Sequence, residues 1–139
     1  MELGTKARYD AASANWVRKN PVSLSDFTGR PFLFEECGDV EGSAILDLGC
    51  GEGYCARYFA ARGASLIDGI DISPKMIEAA KQADYYNTNV SFEVGNIASL
   101  SPVGAKYDKV VGCFVYNYLS VEETYKSMAE VHRVLKNGG

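Results

Sequence analysis

The stretch AILDLGCGEGYCARYFAARG, residues 44–63, sets glycines at 49, 51 and 53 directly behind a mostly apolar run and directly ahead of a helix-like segment. Glycine loses more conformational freedom on folding than any other residue, so this concentration marks a backbone path that side chains would forbid. Ala44–Leu48 has the composition of a buried strand, and residues 54–62 have that of a helix stopped by Gly63, with Cys55, Tyr58 and Phe59 on one face. A glycine-rich turn from the first strand of a parallel sheet into a helix is a binding place for a nucleotide-like ligand. Without side chains at Gly49 and Gly51 the ligand can lie against bare backbone, and the first N–H groups of the helix can meet a negative group.

The remaining pattern supplies the sheet. Residues 5–20 place Tyr9, Ala12 and Trp16 at helical spacing, and Asn20-Pro21 ends that segment. A serine-rich connector leads to a short helix around RPFLFEEC, stopped by Gly38. SLIDGID predicts a second strand over 65–71. Ser73-Pro74 opens a helix whose Ile77, Ala80 and Ala83 point inward. VSFEV at 90–94 alternates as a third strand before the Gly95-Asn96 turn, and YDKVVGCFV at 107–115 predicts a fourth. Ser120 and Glu123 have the spacing of a capping box, opening a helix with Tyr125, Met128, Val131 and Leu135 on one side. Strands alternating with helices give an α/β fold: a Rossmann-like parallel sheet with helices on both faces.

Composition narrows the function classes. The 139 residues carry a net charge of −4 and no long run of Lys or Arg, which argues against nucleic acid or an anionic membrane surface as the main partner. No apolar stretch approaches the roughly 20 residues of a membrane span. Cys37, Cys50, Cys55 and Cys113 form no CxxC pair, and His132 is the single histidine, so neither a disulfide framework nor a zinc site is expected. Four thiols without a framework fit a reducing cytoplasm.

An acid about twenty residues beyond the first glycine, at the tip of the second strand, can hold ribose hydroxyls. Asp71 stands there, and a carboxylate accepts the two parallel hydrogen bonds that a vicinal diol offers. The dinucleotide fingerprint GxGxxG needs a third glycine where this chain has Tyr54, which disfavours a nicotinamide-dependent oxidoreductase; a Walker loop is excluded because no Gly-Lys-Ser/Thr follows.

At these residues the chain resembles the class I S-adenosylmethionine-dependent methyltransferases of small-molecule type. ILDLGCGEG is similar to that family's first motif, GIDIS to its second, GNIASL to its adenine-side loop, and YDKVVGCFVYNYL to its fourth strand. VHRVLKNGG is similar to the helix end that leads into a fifth strand, with Asn137 in place of the family's proline, and RYDAASANW to a pocket-covering N-terminal helix. The resemblance implies residues 1–40 as a helical lid segment and 41–139 as the S-adenosylmethionine-binding domain, carrying strands one to four of a seven-stranded fold and ending before the fifth. It implies that Asp47 orients the methionine amino group, that Gly49, Cys50 and Gly51 floor the methionyl moiety, and that Asp71 takes the ribose. Ile72, Met76, Asn96 and Ile97 would surround the adenine, Cys113 and Phe114 would lie beneath the sulfonium, and Tyr9 and Trp16 would be lid contacts. Tyr116, Asn117 and Tyr118 border the expected pocket and are acceptor contacts or loop packing. The implied reaction is in-line methyl transfer to a small-molecule acceptor, with S-adenosyl-L-homocysteine as product and no general base evident in the sequence. The alternative is a cofactor-binding fragment or module without turnover. The fourth strand, normally central in the family, is expected to offer an open edge for self-association.

Overall fold

The computed structural model of the chain describes residues 3–16, 20–85, 88–101 and 104–139. Four parallel strands, β1 (Ala44–Leu48), β2 (Leu66–Asp71), β3 (Asn89–Val94) and β4 (Lys109–Val111), form one sheet in the order β3-β2-β1-β4. The helices are α1 (Leu3–Trp16), α2 (Leu24–Phe27), α3 (Gly29–Cys37), α4 (Tyr54–Ala60), α5 (Pro74–Ala80) and α6 (Val121–Val134), with a 3-10 turn at Tyr116–Tyr118.

All five residues of β1 are buried, as expected of a strand covered on both sides. Its alternation divides the core. Ile45 packs with Ile67, Phe92, Ala56, Phe59, Ile77 and Ala80 on the face of α4 and α5. Ala44, Leu46 and Leu48 pack with Ile70, Ile97, Tyr107 and Val134 on the face of α6. Asp47, on the Ile45 side, is therefore carried into the interior by the period of the strand itself.

The helix signals act as expected at two starts. Ser73 Oγ accepts the Met76 N–H (3.2 Å) ahead of Pro74 at the first helical position. Ser120 Oγ accepts the Glu123 N–H (3.2 Å) while Glu123 Oε2 accepts the Ser120 N–H (2.9 Å), a complete capping box.

Three readings change. β4 is three residues long rather than the nine of YDKVVGCFV: after Val111 the chain leaves the sheet, and Phe114 takes φ 57°, a left-handed conformation no strand contains. The serine-rich connector includes α2, whose Asp26 carboxylate accepts the Val22 and Ser23 N–H groups (3.0 and 2.9 Å). On α6 the inward residues are Ser127 and Val134, with Val131 beside them, while Tyr125 and Met128 are exposed. The apolar stripe is thus broader than the face that four strands can cover. The first helix spans Leu3–Trp16; its expected continuation over 17–19 lies outside the described residues.

Gly69 lets the Phe92 ring cross β2: a Cβ there would stand 2.5 Å from Phe92 Cδ1 and 3.0 Å from Cys50 Sγ. Gly69→Ala should cost about 1–3 kcal/mol by overpacking, read as a lower urea midpoint at unchanged slope, with the loss shrinking in a Phe92→Ala background.

Candidate functional site

The loop between β1 and α4 is shaped by its glycines. Gly49 has φ 68°, and a Cβ on it would stand 2.6 Å from Val115 Cγ2, so both conformation and space require glycine. Gly51 has φ 55° but faces open space, with no atom within 4 Å of a built Cβ. One glycine admits the neighbouring protein; the other leaves backbone bare to a ligand.

Hydrogen bonds fix this loop on β2. The Gly49 and Cys50 N–H groups donate to the Ile70 carbonyl (2.8 and 3.0 Å), and the Gly51 N–H donates to Asp71 Oδ2 (2.9 Å). Asp71 Oδ1 accepts the Ser73 N–H (2.9 Å). The acid at the tip of β2 thereby faces the glycine loop. Burial raises its carboxyl above the usual range, opposed by these N–H donors.

A cavity of about 290 Å³ opens here, at the carboxyl ends of the strands. Its wall brings together Asp47, Gly49, Cys50, Gly51, Asp71, Ile72, Met76, Ile97, Cys113, Phe114 and Tyr9, eleven of the thirteen residues singled out in the sequence. Asn96 is not in the wall. It is exposed, and its Oδ1 accepts the Ala98 N–H (2.9 Å), a local turn bond that Asn readily forms after a strand. The Trp16 side chain lies outside the described residues. Of the three residues at the pocket's edge, Asn117 and Tyr118 join the wall, while Tyr116 packs with its hydroxyl 3.1 Å from Ser127 Oγ. His132 is exposed on the last turn of α6 and is not in the wall.

Asp47 dominates the electrostatics. It is 1% exposed, and its Oδ2 has no hydrogen-bond partner. Burial pushes its carboxyl up to about 8, with Cys113 and Asp71 adding to the rise and Arg30 opposing it. An unpartnered buried carboxylate is costly unless a cation or donor meets it.

Arg30, on α3, also enters the wall, and nothing in its sequence context singled it out. Its Nη1 donates to Asp26 Oδ1 (2.5 Å) and Ser25 Oγ (2.8 Å), while its Nε is buried without a partner. The guanidinium lies 5.0 Å from the Tyr54 ring centre and 5.6 Å from that of Phe114, positions suited to cation–π attraction. Glu52 joins from the loop; its Oε2 pairs with Arg57 Nη2 at 2.5 Å. No sequence signal marks Arg30: its approach to Phe114, far along the chain, is a tertiary fact invisible in the order of residues.

Helix α1 also reaches the cavity, with Thr5 and Tyr9 in its wall. Asp10 accepts from Lys6 Nζ (2.6 Å) and from Ser73 Oγ (2.5 Å), tying α1 to the start of α5. Tyr9 meets Tyr118 edge-on at 5.6 Å between ring centres, with a hydrogen bond between the two side chains. The helix is thus anchored on two sides of the cavity. Taken together, the wall can accept a ligand carrying a cation near Asp47, adjacent hydroxyls near Asp71 and an apolar ring near Ile72, Met76 and Ile97.

Comparison with known proteins agrees with that shape. The profile of the family described as "Methyltransferase domain" matches residues 45–139. The 2-phytyl-1,4-naphtoquinone methyltransferase of Nostoc sp. strain PCC 7120 is 33% identical over 104 residues, covering 71% of this chain and 44% of that protein. The uncharacterized methyltransferase YdaC of Bacillus subtilis is 30% identical over 119 residues, covering 85% of this chain and 64% of that protein. A crystal structure of an S-adenosylmethionine-dependent methyltransferase from Mesorhizobium loti matches with a TM-score of 0.69 at 28% identity, covering 76% of this chain and 48% of that one. The chain spans about half the length of the curated relatives it matches. With a family profile over most of its length and the fold of a solved member, the chain belongs to the class I S-adenosylmethionine-dependent methyltransferases.

Proposed function

We propose that the chain binds S-adenosylmethionine and carries the cofactor half of a methyltransferase acting on a small-molecule acceptor, within a seven-stranded fold. The observation that carries this reading is the unpartnered, buried Oδ2 of Asp47 in the same cavity wall as the bare backbone of Gly51. An α-ammonium group satisfies that oxygen, and the open space at Gly51 is the cradle a side chain would have filled.

The residues suit the whole ligand. Asp47 takes the ammonium of the methionyl end, and Arg30 takes its carboxylate through the Nε side of a guanidinium already held by Asp26 and Ser25. Asp71 retains lone pairs for the ribose hydroxyls after accepting from Gly51 and Ser73. Ile72, Met76 and Ile97 offer an apolar slot for the adenine, with the exposed Asn96 at its outer rim. The lid is residues 1–40, with Tyr9 as its contact inside the cavity.

Bound S-adenosylmethionine supplies a methyl group already activated on a sulfonium. The chain's own contribution is alignment and exclusion of water, through the Asp47 and Arg30 grip at one end, the Asp71 grip at the other, and α1 across the opening. The aromatic faces of Tyr9, Tyr54 and Phe114 suit a cationic centre. The naphtoquinone substrate in the Nostoc relative's name supports a small organic acceptor. As the alternative to pairing with further strands of that fold, the outer edge of β4, which pairs only with β1 among the described residues, supports self-association; sedimentation at the monomer mass would dismiss that part. The four free thiols support a reducing cytoplasmic setting.

Titration calorimetry with S-adenosylhomocysteine tests the reading directly. Wild type should bind, and Asp71→Ala should weaken binding by about 2–3 kcal/mol, the upper part of the range for hydrogen bonds to a charged group, while retaining its far-ultraviolet spectrum. Equal affinity in the variant would remove Asp71 from the ribose site; no binding by folded wild type would remove the cofactor reading. Labelled methyl transfer to phenolic and quinol acceptors then separates an enzyme from a binding module.

Asp47 gives two pH predictions. Its folded-state carboxyl lies above the unfolded value, so the folded chain holds the extra proton between about 4 and about 8. The stability of the ligand-free protein should therefore fall as pH rises through that window, and Asp47→Asn should flatten the fall in urea denaturation at pH 5 and pH 8. Binding of an ammonium group near pH 7 should release a proton, seen as a binding enthalpy that depends on the buffer's ionisation enthalpy. A buffer-independent enthalpy in wild type, the same as in Asp47→Asn, would contradict the ammonium assignment.

A further inference from the structure

Helix α1 meets the rest of the protein without an apolar anchor. None of its residues 4–12 is buried, and none enters either cluster of the core. Thr5, Lys6, Tyr9, Asp10 and Ala12 are half-buried, at the spacing of one helical face, and α1 lies against α5. An element with so few buried apolar contacts opens at lower cost than the core it rests on. Thr5 and Tyr9 nevertheless form part of the cavity wall, so the polar and aromatic contacts of the helix are what seat them there.

One of those contacts runs through Ser73, whose side chain is fully buried. The Ser73 N–H donates to Asp71 Oδ1 (2.9 Å), and its Oγ donates to Asp10 Oδ1 (2.5 Å) while accepting the Met76 N–H (3.2 Å). Asp71 Oδ2 accepts the Gly51 N–H (2.9 Å). A continuous line of hydrogen bonds therefore joins the glycine loop to α1, from Gly51 through Asp71 and Ser73 to Asp10. Each link ends on a carboxyl oxygen, the acceptor of the stronger class of hydrogen bond when ionised. The other bond of Asp10, from Lys6 Nζ (2.6 Å), spans four residues within α1 and ties the helix only to itself.

We propose that Asp10 and Ser73 are positioning residues whose hydrogen bond is a latch, seating α1 against the cavity and setting how long an adenosyl ligand stays. Through Asp71 the latch makes the glycine loop, the acid facing it and the helix one unit. While it is formed, Thr5 and Tyr9 stay in the wall and the ligand leaves slowly; once it breaks, that part of the wall opens and the ligand leaves fast. Neither Asp10 nor Ser73 lines the cavity, so the latch acts on the exit of the ligand through other residues. The seating of α1 is a property of the protein alone; its effect on residence time rests on the S-adenosylmethionine reading above.

Two measurements on the full chain test the latch. In the ligand-free protein, hydrogen–deuterium exchange of the α1 amides should rise at least about tenfold in Asp10→Ala, with β1 and β2 unchanged. For S-adenosylhomocysteine, followed by surface plasmon resonance, Asp10→Ala should raise the dissociation rate at least about tenfold and keep the association rate within about threefold. Lys6→Met removes the pair within α1 and spares the bond to Ser73; it should stay within about twofold of wild type in both readings, the scale of a helical ion pair. Asp10→Asn keeps an acceptor for the Ser73 hydroxyl and should recover most of the loss seen in Asp10→Ala.

Wild-type α1 amides exchanging as an unfolded segment does, Asp10→Ala exchanging like wild type, or Lys6→Met or Asp10→Asn exchanging as fast as Asp10→Ala would each overturn the latch. Faster exchange in Asp10→Ala with an unchanged dissociation rate, or with a change confined to the association rate, would overturn its tie to ligand residence. Absence of binding by folded wild type would count against the cofactor reading instead, and the exchange of α1 would still decide the latch.

Discussion

The hydrogen bond from the Gly51 N–H to Asp71 Oδ2 joins the two strand tips between which the cavity opens. It forms because Gly51 takes a left-handed φ in the loop after β1, and because the parallel register pairs Leu48 with Ile70, so that β2 carries Asp71 one residue past the end of β1. With the Gly49 and Cys50 N–H groups on the Ile70 carbonyl, the loop has little freedom left. A rigid loop of bare backbone is what a preorganised binding surface requires, since it leaves less ordering to be done when a ligand arrives.

Around that loop the chain accepts two unfavourable burials. Asp47 lies in the interior with one oxygen unpartnered, and the Arg30 guanidinium is held against Asp26 with its Nε unpartnered. Each is costly in an unliganded protein. Under the proposed function, a ligand carrying both an ammonium and a carboxylate would relieve both. Phe114, three residues past the end of β4, adds a left-handed backbone conformation and sets its ring against Arg30 and Gly29.

The sheet and its binding edge were legible in the residues because they rest on local rules. Strand alternation, the glycine turn, Ser73-Pro74 and the Ser120–Glu123 box each act within a few residues, and each appears where the pattern points. Where local rules met tertiary ones, they yielded. The run 107–115 has strand composition throughout, yet only three residues form β4; the chain then turns away, with Phe114 in a left-handed conformation and its ring near Arg30. Tyr125 and Met128 have helical spacing with Val131, yet four strands leave them exposed on the far side of α6. Asn96 sits one residue past Gly95, outside the cavity wall, and its Oδ1 accepts the Ala98 N–H in a local turn that the motif does not reveal.

Taken alone, the sequence determined the parallel α/β sheet, the glycine loop at the end of β1 and the acid facing it, because spacing along one strand or one turn fixes where those groups go. Only the tertiary structure decided that Arg30 enters the cavity, that α1 is tied to its wall through Asp10 and Tyr9, and that Cys55 and Cys113 both line it. These are meetings of residues far apart in the chain, and their distances are set by how helices pack on the sheet. No local period encodes that packing.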